Sequence, residues 1–448
     1  MSRRVHFMNW SRTTALSVAA IVCLTMAGDA CAELIPTPNF SDHDIPSTRV
    51  VEAPSVVWNA VDVGVLLVAL SLASYFALVV RSRKYLLWLS VASLLWFGFW
   101  RRGCVCPIGA TQNVTLATFD GTYVVPISVV AFFVLPLIFT VFFGRTFCAS
   151  VCPLGAVQEL VSVRNVRVPR WLDQALSVIP YVYLGLAVTL AATGTAFVIC
   201  RYDPFVGFFR LSGNASMMIY GGSLLVVGFF VGRPYCRYLC PYGALLRLTS
   251  RVSQWHLRIP PTACIQCRLC EDACPYGAIE EPTESPSVEQ LQRERKRLVV
   301  LLFMTPFIVG LFAWAATGWR GTLAGWHFDI RLAEALKQED LGLATEPNTA
   351  TEAFRGSRRS PEQLYEAAAT HRDRFAIAAS LLGAYIGLVL WGKVILLTLR
   401  RGRQEYTPNK SHCVSCGRCF QHCPVELVRI GLIDNVEQMT HETHEVAT

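Results

Sequence analysis

Charge is scarce in this chain. Only 16% of its residues are Asp, Glu, Lys or Arg, where a soluble globular domain carries about a quarter. With 53% hydrophobic residues and a mean hydropathy of +0.40, that deficit argues against an ordinary soluble enzyme and for a membrane. Histidine is missing where an intramembrane haem would need it: none of the nine lies in a long apolar run. No C-x-x-C-H occurs, so an attached c-type haem is excluded. No G-x-G-x-x-G follows a strand pattern and no Walker segment is present, which leaves no legible nicotinamide or nucleotide site. Flavin finds no support either, since the Gly-Ala-Thr of "PIGATQ" at 107–112 stands in surroundings that do not match a covalent flavin site. The net charge is +8, but no basic block interleaved with aromatics stands out, so nucleic acid is not an expected partner.

Long apolar runs are plentiful. Arg3, Arg4 and Arg12 precede an apolar run at 15–27, and "ACA" precedes Glu33. This is the pattern of a signal segment, cleaved or kept as an anchor, over 1–32. A short periplasmic stretch, 33–57, follows. Further apolar stretches lie at about 58–80, 85–100, 123–143, 176–199, 216–232, 299–318 and 375–399, each near the ~20 residues a crossing helix needs. The loops 81–84, 144–175, 233–298 and 400–448 hold more than half of the 40 Lys and Arg, which places them on the cytoplasmic side. The expected fold is an all-α polytopic membrane protein, with about seven transmembrane helices after the signal segment. Its place is the bacterial inner (cytoplasmic) membrane, with the lipid bilayer as its surroundings.

Cysteine carries the chemistry. "CIQCRLCEDACP" begins at Cys264 and "CVSCGRCFQHCP" at Cys413. Each reads C-x-x-C-x-x-C-x-x-x-C-P, one half of a bacterial two-cluster ferredoxin, in which the fourth cysteine ligates the other cluster. One 4Fe–4S cluster is therefore expected on Cys264, Cys267, Cys270 and Cys423, and a second on Cys413, Cys416, Cys419 and Cys274. A zinc site would use four cysteines, or pair Cys with His, and would not predict two full runs. Two apolar spans separate the halves, and two crossings return the chain to the side it left. A membrane hairpin, 299–399, thus interrupts a small cytoplasmic ferredoxin-like module made of 256–285 and 405–435. The periplasmic loop of the hairpin, 319–374, reads as a small surface helix pair or a docking face. Within it, "SPEQ" from Ser360 reads as a helix start.

A second pattern repeats in the membrane domain, 58–255. "GRTFCASVCPLGA" begins at Gly144 and "GRPYCRYLCPYGA" at Gly232. If these segments are helical, Cys148 and Cys152 share a face, as do Cys236 and Cys240. The four thiols are candidates for a further cluster, a metal site or a cycling dithiol. A degenerate copy, "RRGCVCPIGATQN" from Arg101, adds Cys104 and Cys106. Parity places these on the periplasmic side together with Cys200, as a candidate redox or metal site.

The segments "GRTFCASVCPLGA", "GRPYCRYLCPYGALL", "CRYDPFVGFF" and "CIQCRLCEDACPYGAI" resemble the NosR/NapH family of membrane polyferredoxins, over about 123–285 and again at 405–430. The resemblance implies an inner-membrane protein passing electrons between the quinone pool or a cytoplasmic donor and a periplasmic redox protein. Members of the NosR type carry a periplasmic flavin domain where this chain has only 33–57, and the split of the ferredoxin halves is not what the resemblance implies for either branch of the family. The expected function is membrane-bound iron–sulfur electron transfer, with quinol oxidation an open activity. The alternative is a cysteine-based copper reductase or assembly factor for a respiratory oxidase.

Overall fold

Backbone N–H and C=O groups inside a bilayer must pair internally, so apolar runs of this length become helices. The computed structural model describes residues 56–103, 106–163, 166–259, 264–283, 287–343, 348–357, 359–398 and 402–436. It is mostly helical, with one two-stranded sheet. Among the described residues, four helices are long and apolar enough to cross a membrane: Val56–Val80, Arg170–Ala192, Val288–Thr317 and Pro361–Thr398. Ile127–Phe143 and Ala215–Phe230 are apolar and shorter. The signal segment 1–32 and nearly all of 33–57 lie outside the described residues.

Several boundaries differ from the sequence expectation. The stretch expected at 85–100 is the helix Arg83–Ser93 running into a π-helical Leu94–Trp100. The stretch expected at 176–199 starts at Arg170 and stops at Ala192, where Thr193 and Gly194 (φ +70°) end the helix. Glycine accepts that left-handed conformation without a Cβ penalty. The remainder, to Arg210, folds into two short helices, Val198–Arg201 and Val206–Arg210.

The largest departure is at 101–119, expected as an outer loop. Arg101 pairs at 2.7 Å with Asp62, a buried residue of the first span, and Trp96 Nε1 donates to the same carboxylate at 3.2 Å. Pro107–Phe119 then forms a helix packed against Ile127–Phe143 and Ile179–Ala192. This segment is too short for a span and carries polar groups, so a hydropathy reading passes over it. Two of its polar atoms find partners: Gln112 Oε1 accepts the Ile199 amide at 3.0 Å, and Asn113 Oδ1 accepts the Tyr123 hydroxyl at 2.7 Å, while Gln112 Nε2 is buried without one.

The membrane hairpin is built from its caps inward. Ser287 and Gln290 form a capping box at the start of Val288–Thr317. Ser360 and Gln363 exchange the same pair of bonds, at 3.2 and 3.3 Å, before Pro361–Thr398, as "SPEQ" predicts. The two helices meet at a small-xxx-small stripe, Gly383 and Gly387. A Cβ on Gly383 would lie 2.4 Å from the Phe312 carbonyl oxygen, so only glycine allows this approach. The outer loop is more than a helix pair. Arg320–Ala324, Phe328–Asp340, Thr349–Arg355 and the start of Pro361–Thr398 enclose their own apolar core, which includes Leu336, Phe354, Leu364 and Phe375. That core also takes in Leu190 and Val198.

The ferredoxin halves meet directly. Strand β1 (Ile279–Glu280) pairs antiparallel with β2 (Thr407–Pro408), in the register Ile279 to Pro408 and Glu280 to Thr407. Thr283 and Arg403 extend the ladder by exchanging both backbone bonds, at 2.9 and 3.2 Å. Asn409 closes it, donating its amide to the Ala278 carbonyl at 2.7 Å and its side chain to Glu280 at 2.7 Å. Leu257, Cys270, Ile279, Tyr406, Cys419 and Phe420 form the small core beneath.

Candidate iron–sulfur and thiol sites

Each cysteine run must turn sharply to aim three sulfurs at one point, and the backbone does this with left-handed residues. Gln266 and Arg268 have φ of 55° and 65°, and Ser415 and Gly417 have 55° and 79°. These are matching positions in the two motifs. Three of the four are not glycine, and each stores about 1 kcal/mol of local strain, the kind of outlier that gathers at functional sites. The turns direct backbone N–H groups at sulfur: Ser415 donates to Cys413 Sγ and Ala278 to Cys274 Sγ, both at 3.4 Å.

Two cavities result. One is lined by Cys264, Cys267, Cys270 and Cys423, with Arg268 and Tyr406 among its walls. The other is lined by Cys413, Cys416, Cys419 and Cys274, with Tyr276 and Arg418 beside them. Each takes three cysteines from one half and the fourth from the other, the exchange that the motif spacing predicts. Burial pushes the Cys270 and Cys413 thiols up to about 12, so anionic sulfur is stable there only beside a cationic centre. Four soft donors per cavity, facing N–H groups and little water, fit a 4Fe–4S cluster.

The repeated membrane-domain motif behaves differently from the expected continuous helix. Cys148 lies in Thr146–Ser150, the chain kinks, and Cys152 caps a new helix, Pro153–Val161. Cys236 lies in Pro234–Tyr238, and Cys240 caps Pro241–Ser250. The residue before proline is driven to extended backbone, while proline suits the first helical position. Cys-Pro therefore ends one helix and starts the next, and the paired thiols do not share one helix face. "CPIGA", "CPLGA" and "CPYGA" at 106, 152 and 240 all obey this rule. The four thiols still converge. Cys152 is within electrostatic reach of Cys236, Cys148, Cys106 and Cys240, and Cys148, Cys152 and Cys240 are buried in one core. Gln158 donates to Cys236 Sγ at 3.4 Å and Arg145 to Cys148 Sγ at 3.6 Å. Burial, opposed by Arg233, leaves the Cys236 thiol at about 11.

Cys106 packs against that same core. Cys200 is close by: a Cβ on Gly109 would lie 3.0 Å from its sulfur. Cys104 lies outside the described residues.

Sequence reasoning missed the residues that join the two layers. Glu159 is buried and receives Arg83 at 2.9 Å, Arg233 at 3.1 Å, Arg418 at 2.8 Å and the Tyr276 hydroxyl at 3.0 Å. Burial opposes its charge, yet Arg233 and then Arg418 outweigh burial and hold the carboxyl at about 2. Tyr276 and Arg418 line the second cavity, so Glu159 ties that cavity to the membrane domain. Arg145 and Arg233 occupy the same position in the two repeats, and both are fully buried. Arg145 donates to the Ser411 carbonyl at 3.2 Å, and Arg233 to the carbonyls of Cys148 and Ala149. The shared "GR" before each motif was the available signal. Arg81 adds a second clamp, 2.7 Å from Glu426 and stacked over Phe420.

With this geometry in view, the comparisons with known proteins converge. A family model for a 4Fe–4S binding domain matches 125–171 and again 214–260, one match around each repeated Cys-Pro motif. A second 4Fe–4S binding-domain model matches 257–280, around the first ferredoxin run. The chain carries 4Fe–4S binding domains of the ferredoxin type. It is 34% identical over 172 residues to NirI of Paracoccus denitrificans, covering 33% of this chain and 25% of that protein. It is 32% identical over 163 residues to the electron transport protein YccM of Escherichia coli, covering 33% and 44%. To the regulatory protein NosR of Pseudomonas aeruginosa it is 33% identical over 150 residues, covering 30% and 21%. The resemblance to NosR-type membrane polyferredoxins thus stands on direct similarity, over less than half the length of these relatives. No solved structure matches.

Proposed function

We propose that this chain is a multi-pass electron carrier of the bacterial inner membrane, moving single electrons between quinol or a cytoplasmic donor and a periplasmic redox protein. Cys264, Cys267, Cys270 and Cys423 hold one 4Fe–4S cluster, and Cys413, Cys416, Cys419 and Cys274 hold another. Such clusters, when bound, each take up and release one electron. The observation that carries the reading is the make-up of the two cavities, each completed by one cysteine from the opposite half. The domain bounds and the seven-span topology expected above complete it, with 256–285 and 405–435 cytoplasmic and 319–374 periplasmic. The chain's own residues supply ligation, N–H donors to sulfur and exclusion of water, not acid–base chemistry. Cys148, Cys152, Cys236 and Cys240, joined to the second cavity through Arg145 and Glu159, form the next station toward the membrane.

Anaerobic purification with iron and sulfide counts and EPR tests this. About eight irons fit two clusters and about twelve place a third on the inner cysteines; fewer than about four sink the reading. Reporter fusions after residue 285 and near the C-terminus test the topology and should report the same face.

The grouping of three buried thiols and the half-buried Cys236, two of the four receiving side-chain donors, supports a second reading in which the inner cysteines reduce or deliver copper for an oxidase. Cys148→Ser with Cys236→Ser would then abolish copper binding and leave the cluster spectra intact.

A further inference from the structure

The outer part of the hairpin holds a group of side chains that the iron–sulfur reading does not use. His327, Asp329 and His371 each offer a ligand atom within 4.8 Å of the others. They come from two elements: His327 and Asp329 from the start of Phe328–Asp340, and His371 from Pro361–Thr398. The two imidazoles stack with centroids 3.8 Å apart, and the Phe375 ring stands edge-on to His327 at 6.4 Å. His327 is only 7% exposed, and the other two are half-buried. His371 Nδ1 is buried without a hydrogen-bond partner. Native structures satisfy nearly all such atoms, so this nitrogen points to something that the protein's own side chains do not supply.

We propose that His327, Asp329 and His371 bind one divalent transition-metal ion of the zinc and copper type. Two imidazoles and one carboxylate are the donors such ions select, with water completing the shell. Both rings must be neutral to ligate. Burial holds each below the ordinary histidine range, aided at His327 by the neighbouring ring and at His371 by Arg374 and Arg359, against the pull of Asp329. Arg359 grips the Asp329 carboxylate through both oxygens, at 3.1 and 3.2 Å, and orients it as outer-sphere partners orient metal-binding carboxylates. Each oxygen keeps a further lone pair for the ion. His327 Nδ1 accepts the Asp329 amide at 3.2 Å, one long bond that a metal would replace. Turning an imidazole about its terminal torsion meets only a broad, shallow barrier, so the stacked rings can open toward a shared ion. The surrounding apolar core supplies the rigid support such a site needs.

The site is independent of the clusters, and its test reads separately from theirs. Full-length protein with its iron intact is titrated with Co²⁺ and then Zn²⁺. One Co²⁺ equivalent with visible absorption and no sulfur-to-metal charge-transfer band is expected, and Zn²⁺ should displace it. His371→Ala and His327→Ala should each weaken it by about tenfold or more, with iron content and cluster EPR unchanged. Equal Co²⁺ affinity in wild type and His371→Ala, or no such equivalent in wild type, overturns the proposal. Alanine is well tolerated within a helix, so His371→Ala decides the matter even if losing the His327 cap disturbs the fold.

Discussion

The two ferredoxin cavities share one motif and occupy unlike surroundings. The first, around Cys264, Cys267, Cys270 and Cys423, is open on one side, where Ile265 is 45% exposed, and is held on the other by the Arg81 clamp on Glu426 and Phe420. The second, around Cys413, Cys416, Cys419 and Cys274, is pressed onto the membrane domain. There Tyr276 and Arg418 share the buried Glu159 with Arg83 and Arg233, and Arg237 holds the Pro275 carbonyl at 2.9 Å. Identical ligand sets therefore acquire different neighbours. The difference comes from charge pairs, not from ligation.

The largest test of that contrast removes one ligand from each side. Cys270→Ser and Cys419→Ser should each lose about four irons, but only Cys419→Ser should also leave the membrane-domain contact open to limited proteolysis. Equal protease patterns would dissolve the distinction. Glu159→Ala comes next. It strands Arg233 in the interior and should destabilise the protein by about 3–5 kcal/mol, read by thermal unfolding. The redox-EPR midpoint of the second cluster should shift, while that of the first stays in place.

Acid sharpens the same comparison. The Glu159 carboxyl is held at about 2, against an ordinary value of 4.5. A depressed carboxyl contributes stability that is present above its unfolded value and lost as pH falls through its folded one. That contribution, about 3 kcal/mol, is full at pH 7 and fades between about 4.5 and 2. The stability gap between wild type and Glu159→Gln, followed by tryptophan fluorescence in denaturant, should narrow at pH 3.5; a constant gap would show that the carboxylate is not what holds the second side. The smallest effect lies at the matched left-handed positions. Gly417→Ala should cost about 1–2 kcal/mol, because φ is +79° and the new Cβ would lie 2.6 Å from the Phe420 ring. Arg268→Gly, the reverse change in the other motif, should stabilise by about 1 kcal/mol, measured by the same unfolding curves.

The cross-pairing of cysteines was legible in the sequence because ligation chemistry constrains spacing, and the return of the chain was legible because crossings obey parity. The kink between Cys148 and Cys152 was equally available, since proline biases the residue before it toward extended backbone; a helical i, i+4 reading set that aside. Pro107–Phe119 was missed because Gln112 and Asn113 lower its hydropathy, and the partners of their side-chain oxygens, the Ile199 amide and the Tyr123 hydroxyl, are visible only after folding. The ion pairs of Glu159 were illegible for a like reason. A glutamate among loop charges gives no sign that Arg83, Arg233 and Arg418, far apart along the chain, will surround it.

What the sequence by itself determined is local: thiol spacing, left-handed turns, proline-started helices, capping boxes and apolar runs of crossing length. These follow from backbone sterics and ligand chemistry that reach only a few residues. Tertiary structure alone decided which cavity is docked, that Cys106 joins the inner thiols, and that the outer loop gathers two histidines and an aspartate. Those outcomes depend on burial and charge pairing between distant segments, whose free energies exist only once the segments are in contact.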